Sequence, residues 1–147
     1  MKIIFLAILV VTLFSCNTYS DNQIEDFDTE IKTYIKKNKI EYESSVSGLY
    51  FKIKEEGDGD YIQAKDVVSF TYKGTFLNGE VFDEQTSPVE FGVVELIAAW
   101  KEIMYKLKVG GKASLICPPQ LGYGNHDLDD IPANSILLYQ IEIINVK

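Results

Sequence analysis

A chain of 147 residues that is 46% hydrophobic and 24% charged carries enough apolar side chain for one globular domain with extensions, which excludes a disordered or fibrous polypeptide. Its formal net charge of −8, without any long basic patch, argues against a nucleic-acid surface. His126 is the one histidine and has no cysteine or histidine near it in sequence, so neither a zinc site nor a histidine-based triad is expected, and no metal or cofactor is called for.

At the N-terminus, Lys2 precedes the apolar run Ile3 to Leu13, too short to span a bilayer but long enough for the core of a secretory signal. Residues 1–15 are therefore predicted to be a signal peptide, and the protein to be exported. The run ends in Leu13-Phe14-Ser15-Cys16, which resembles the lipobox of bacterial lipoproteins, where a small residue precedes a cysteine that is acylated and becomes the first residue after cleavage. This resemblance implies lipidation at Cys16 and a membrane reached through acyl chains worth about 0.8 kcal/mol per buried methylene. It also implies a place on the bacterial cell envelope, facing the periplasm or the cell surface, and Asn17 after the cysteine favours the outer membrane. With Cys16 spent on lipid no disulfide framework remains, and Cys117, closing the alternation Ala113, Leu115, Cys117, reads as a small core residue and not a nucleophile.

Residues 16–23 are short and polar and suit a tether. In residues 24–45, Ile24, Phe27, Ile31, Tyr34 and Ile35 recur at helical spacing, which predicts an amphipathic helix to about Lys39 and then a linker. Asp26, Asp28 and Glu30 lie near the helix start and Lys36, Lys37 and Lys39 near its end, both favourable to the helix dipole. Whether this helix packs on the domain or meets a partner is open at this level. The domain proper, 46–147, begins after Ser45. Leu49, Phe51 and Ile53 alternate as a half-buried strand, and Glu56 to Asp60 reads as a solvated turn that lacks the remaining ligands of a calcium loop. Val68, Phe70 and Tyr72 open a strand running to Phe76. Asn78-Gly79 is a hairpin signal because both residues tolerate positive φ, and the chain returns through Val81 and Phe82 to Asp83 before a polar connection, Glu84 to Pro88.

Glu95 to Leu107 is the one clearly helical run of the domain, with Leu96, Ile97, Trp100, Ile103, Met104 and Leu107 on one stripe. Trp100, the only tryptophan, either fills the core or floors a pocket. Val109 to Lys112 supplies a turn, Ala113 to Cys117 a strand ended by Pro118-Pro119, and Gln120 to Asn134 a long loop with acidic Asp127, Asp129 and Asp130. A last strand alternates Leu137, Tyr139, Ile141 and Ile143. Several antiparallel strands and one helix predict an α+β domain whose twisted sheet wraps the helix.

Tyr72-x-Gly74, Asn78-Gly79, Phe82-Asp83, Leu96-Ile97-x-x-Trp100, Val109-Gly110-x-Lys112, Tyr123-Gly124, Ile131-Pro132 and a closing Leu-x-Tyr-x-Ile-Glu strand stand in the order of the FKBP-type peptidyl-prolyl isomerases, which the chain resembles from about Val46 to Lys147. The resemblance implies an FKBP-like fold, a curled antiparallel sheet of five to six strands around one short helix, here with an extra N-terminal helix. It implies Tyr72, Phe82, Asp83, Ile97, Trp100 and Tyr123 as the catalytic set and Leu96, Ile131 and Tyr139 as further substrate-binding residues. Trp100 becomes the pocket floor, the Ile97 amide and Tyr123 hydroxyl bond substrate carbonyls, and Asp83 orients Tyr72. Proline-containing polypeptide clients, a macrolide ligand and a monomeric state are the partners implied, and a folding role on exported proteins the function. The alternative is a non-catalytic module of the same fold in an envelope or gliding-motility assembly. Four features depart from the family pattern: Glu102-Ile103-Met104 on the helix, Ser87 to Val89 where a pocket aromatic is expected, Tyr139 in place of a phenylalanine, and an acidic loop between Gly124 and Ile131 that differs from macrolide-binding members.

Overall fold

A computed structural model describes residues 19–147. The expected signal peptide, Cys16 and the two tether residues after it lie outside the described residues, and the last three residues of the expected tether, Asp21 to Gln23, belong to the first helix. Helix α1 (Asp21–Asn38) starts three residues earlier than its apolar spacing predicts, because Ser20 and Gln23 form a capping box that satisfies the first free amides. Lys36 and Lys37 occupy its last turn, and Lys39 closes it in the left-handed region at φ 52°.

Six strands follow: β1 (Glu43–Ser44), β2 (Tyr50–Glu55), β3 (Val67–Phe76), β4 (Val81–Gly92), β5 (Lys112–Cys117) and β6 (Leu137–Val146). They form one sheet in the order β1-β2-β5-β6-β3-β4, antiparallel throughout. The two-residue β1 lies in the stretch read as linker, too short to carry a periodic signal. Strand β4 also runs further than expected, since Glu84 to Pro88 is not a connection but part of the strand. A bulge absorbs its extra residues: Phe70 pairs with Val89 and Tyr72 with Gln85, so two steps along β3 match four along β4. At the β3–β4 turn only Gly79 takes positive φ, at 88°. Asn78 contributes its side chain instead, its Oδ1 accepting the Glu80 amide at 2.9 Å.

The central helix is shorter than its apolar stripe suggests. A 3₁₀ turn (Val93–Glu95) comes first, with the Glu95 carboxylate accepting the Gly92 amide at 2.8 Å; Leu96 and Ile97 are extended; α2 then spans Ala98–Met104. The side chain of Glu95 is committed to the turn before it, so the backbone kinks at Leu96 and the helix starts only at Ala98. The stripe is nonetheless buried: Leu96, Trp100, Ile103, Met104 and Leu107 join Phe70, Leu115, Tyr139 and Ile141 in the main core, on one face of the sheet.

The opposite face answers the question the sequence leaves open about α1. Ile31 packs with Tyr50, Ile116 and Ile136 in a second buried cluster flanked by Phe27, Tyr34 and Leu138, so the helix covers part of the back of the sheet. The Tyr50 hydroxyl donates to Asp28 at 2.6 Å, and Lys32 pairs with the same carboxylate at 2.6 Å. Burial first, and the carboxylate next, push the Tyr50 hydroxyl up to about 12.

Candidate functional site

Alternation along β3 puts Phe70, Tyr72 and Gly74 on one face of the strand, above α2. Trp100 rises from α2 into this row and meets three rings edge to face: Phe70 at 5.3 Å, Tyr72 at 4.9 Å and Tyr139 of β6 at 5.0 Å between centroids. Phe82, from β4, packs edge-on to Tyr139 at 5.7 Å and against Phe76 at 5.1 Å. The close approach is allowed by Gly74, which pairs in register with both Asp83 and Tyr139 and has no side chain where the Phe82 ring crosses it.

Above the indole is an open cavity of about 420 Å³, lined by Tyr72, Phe82, Asp83, Trp100, Tyr123, Leu128, Asp129, Asp130, Ile131 and Tyr139. The Tyr72 hydroxyl donates to Asp83 Oδ2. Burial, then that carboxylate, hold its proton well above the usual tyrosine range, so Tyr72 remains a donor. Tyr139, 2% exposed, keeps its proton for the same first reason, with Tyr123 nearby adding to the rise. Its hydroxyl and the Trp100 Nε1 are buried with no hydrogen-bond partner among the described residues. A buried donor left unmet in this way costs on the order of 1–3 kcal/mol.

The loop carrying Tyr123 is held by its own bonds. The Asn134 amide reaches the Gly124 carbonyl at 2.9 Å, Leu128 and Ile131 exchange backbone bonds at 2.9 and 3.3 Å, and Asp127 accepts the Ala133 amide at 2.7 Å. Ile131 is thereby buried beside the cavity while Tyr123 stands exposed at its mouth. Buried Tyr19 donates to the Asn134 side chain at 2.8 Å, linking the segment before α1 to this loop.

Of the nine site residues expected from the sequence, seven converge here: Tyr72, Phe82, Asp83, Trp100, Tyr123, Ile131 and Tyr139. Leu96 and Ile97 do not line the cavity. Leu96 is buried in the core, because the kink before α2 turns it inward, and Ile97 packs partly against the same core. The Ile97 carbonyl accepts the amides of Trp100 and Lys101, each at 3.0 Å, and its own amide meets no acceptor among the described residues. Leu128, Asp129 and Asp130 line the cavity without having been expected there; they lie in an aperiodic loop, where only the run of acids gave any signal. Val89, where the pattern calls for an aromatic, is half-buried against the core, and Phe91 two residues on stacks toward Phe70 at 6.1 Å. Cys117 is buried, and burial pushes its thiol up, as befits a core residue.

Residues 59–144 match the FKBP-type peptidyl-prolyl cis-trans isomerase family. The chain belongs to that family. FKBP-type relatives include the FkpA isomerase of Buchnera aphidicola subsp. Baizongia pistaciae, 36% identical over 86% of this chain and 51% of its own length. FkpA of Escherichia coli K12 is 36% identical over 71% of this chain and 40% of its own length. Among solved structures, that of FkpA from Escherichia coli superposes with a TM-score of 0.74 at 33% identity, covering 86% of this chain and 62% of that one. The FKBP fold of AtFKBP13 gives 0.65 at 34% identity, covering 71% of this chain and 98% of that one. The chain thus spans about half the length, or less, of the curated FkpA relatives it matches.

Proposed function

We propose that this chain is a peptidyl-prolyl cis-trans isomerase that assists the folding of exported, proline-containing polypeptides, held at the cell envelope by lipid on Cys16. The observation that carries the activity is the aromatic cavity over Trp100, with the Tyr72–Asp83 pair at its wall and no nucleophile in reach. Rotation about a peptide bond faces about 18–20 kcal/mol because amide resonance must be broken, and prolyl bonds are those with an appreciable cis population. Resonance makes the planar amide more polar than the twisted one, so water favours the ground state. A cavity walled by Phe82, Trp100, Ile131 and Tyr139 strips that water and favours the twisted, less polar geometry without any covalent step.

Within this reading Trp100 floors the prolyl ring, and the Tyr123 hydroxyl at the cavity mouth bonds one flanking carbonyl. The unengaged Ile97 amide bonds the other. Asp83 keeps Tyr72 in place and presents its carboxylate to the twisting amide. A macrolide would occupy the same cavity, and the enzyme acts as a monomer, most simply at the outer membrane.

Two measurements test the proposal. The purified chain should accelerate cis-to-trans relaxation of a short Xaa-Pro peptide; a rate equal to the uncatalysed one would leave a binding module of the same fold. Cys16→Ser should abolish acyl labelling in cells, and a labelled, membrane-bound Cys16→Ser product would remove the anchor from the proposal.

A further inference from the structure

Tyr19 lies ahead of α1 and outside residues 59–144, the part that matches the family, yet it is buried and bonded to the loop that carries Tyr123. Its hydroxyl donates to Asn134 Oδ1 at 2.8 Å, across 115 positions of sequence. Asn134 takes the left-handed region at φ 63°, and its own amide donates to the Gly124 carbonyl at 2.9 Å. One asparagine therefore joins the Tyr19 hydroxyl to the residue that follows Tyr123. The hydroxyl also lies against Gly124 directly, since a Cβ built there would meet it at 4.0 Å. The Gly124 amide in turn donates to the Pro119 carbonyl at 2.9 Å, so both backbone groups of Gly124 are held.

Tyr19 itself has a fixed seat. Its ring meets Phe27 of α1 edge to face at 5.3 Å, and Phe27 packs against the second buried cluster, through which α1 is held on the sheet. The next residue, Ser20, is locked by the capping box with Gln23, which sets the direction of the chain where it leaves Tyr19. Contact thus runs unbroken from the back of the sheet through Phe27, Tyr19 and Asn134 to Gly124, beside the cavity mouth.

We propose that Tyr19 is a positioning residue for the prolyl site: through Asn134 it fixes the base of the 120–134 loop and, with it, the place of the Tyr123 hydroxyl. This role rests on the isomerase reading for what Tyr123 does, and it extends the site to a segment before α1. Misplacing the Tyr123 hydroxyl can cost no more than removing it, which bounds the effect at that of Tyr123→Phe.

A double-mutant cycle separates positioning from support of the fold. Tyr19→Phe deletes the hydroxyl and keeps the ring on Phe27; Asn134→Gly deletes the acceptor and keeps the positive φ. Full-length chains are compared at equal folded fraction on a short Xaa-Pro peptide, in the parent and in the Tyr123→Phe background. Each substitution should lower kcat/KM by about two- to tenfold in the parent, and the two together by no more than either alone. Neither should lower it further once Tyr123→Phe is present. A parental kcat/KM in Tyr19→Phe, losses that add, or the same loss in both backgrounds overturns the positioning role and leaves the isomerase reading standing. A parent chain that does not accelerate isomerisation ends that reading, and the same cycle is then read on the Kd of the peptide, followed by Trp100 fluorescence. A Kd raised by Tyr19→Phe only while Tyr123 keeps its hydroxyl upholds the positioning role. An unmoved Kd, or no binding by the parent chain, overturns both.

Discussion

Gly74→Ala tests the geometry of the cavity through one methyl group. Gly74 has no unusual φ, so alanine costs nothing in backbone conformation; the question is space alone. A Cβ built there would lie 2.5 Å from Phe82 Cζ, 2.8 Å from Phe82 Cε2 and 3.0 Å from Tyr139 Cε1. Ordinary contact begins near 3.4 Å, so the Phe82 edge must retreat by about 0.9 Å. Phe76 and Tyr139 close off its retreat at 5.1 and 5.7 Å between centroids. Overpacking of this kind costs about 1–3 kcal/mol of stability, and a misplacement near 1 Å at a site can cost about a hundredfold in rate. The expected result is a fall in urea midpoint corresponding to that cost, and at least a tenfold lower catalysed rate per folded molecule. Gly59→Ala is the control: a Cβ there meets nothing within 4 Å, but φ of 90° imposes backbone strain, so it should lower stability by about 1–2 kcal/mol and leave the rate per folded molecule unchanged. Gly74→Ala with the stability and activity of the parent chain would refute the proposed role of Gly74 in making room for Phe82.

Other perturbations discriminate within the site and around it. Phe82→Ala, which opens the apolar wall, should slow isomerisation far more than Tyr123→Phe, which removes one hydrogen bond worth about 0.5–1.5 kcal/mol, or up to about tenfold; Asp83→Ala should fall between because it also frees Tyr72. The measurement is the catalysed rate at equal folded fraction, and a parental rate in Phe82→Ala would move the pocket elsewhere. Tyr19→Phe removes the bond to Asn134 and should speed hydrogen exchange at the Asn134 amide by up to about tenfold; unchanged exchange would show that this contact does not hold the loop. Tyr50 makes an alkaline signature. Its hydroxyl ionises near 10 in the unfolded chain and at about 12 in the fold, so its contribution is complete below pH 10 and is lost as pH rises to about 12, on the order of 2–3 kcal/mol. Urea unfolding of Tyr50→Phe should therefore show a flatter decline between pH 10 and 12 than the parent, and parallel curves would contradict the assignment.

What the sequence determined by itself is the order of most elements and most of the residues that line the cavity. Alternation along Val68, Phe70 and Tyr72 and along Leu137, Tyr139 and Ile141 reports burial on one face of a strand, which depends only on local periodicity. Motifs such as Phe82-Asp83 and Tyr123-Gly124 were legible for the same reason: each is a local pattern. Where helical spacing continued across a kink, the same periodicity misled. Leu96 and Ile97 share a stripe with Trp100, yet the Glu95 bond to Gly92 ends one turn and leaves both extended before α2. The Glu84 to Pro88 segment hid a bulged strand because a bulge breaks alternation, and β1 was too short to show any. Only the tertiary structure decided that α1 covers the back of the sheet, that Gly74 makes room for Phe82, and that Asp129 and Asp130 stand over Trp100. These are contacts between residues distant in the chain, set by strand register and loop hydrogen bonds, and no local pattern of side chains encodes them.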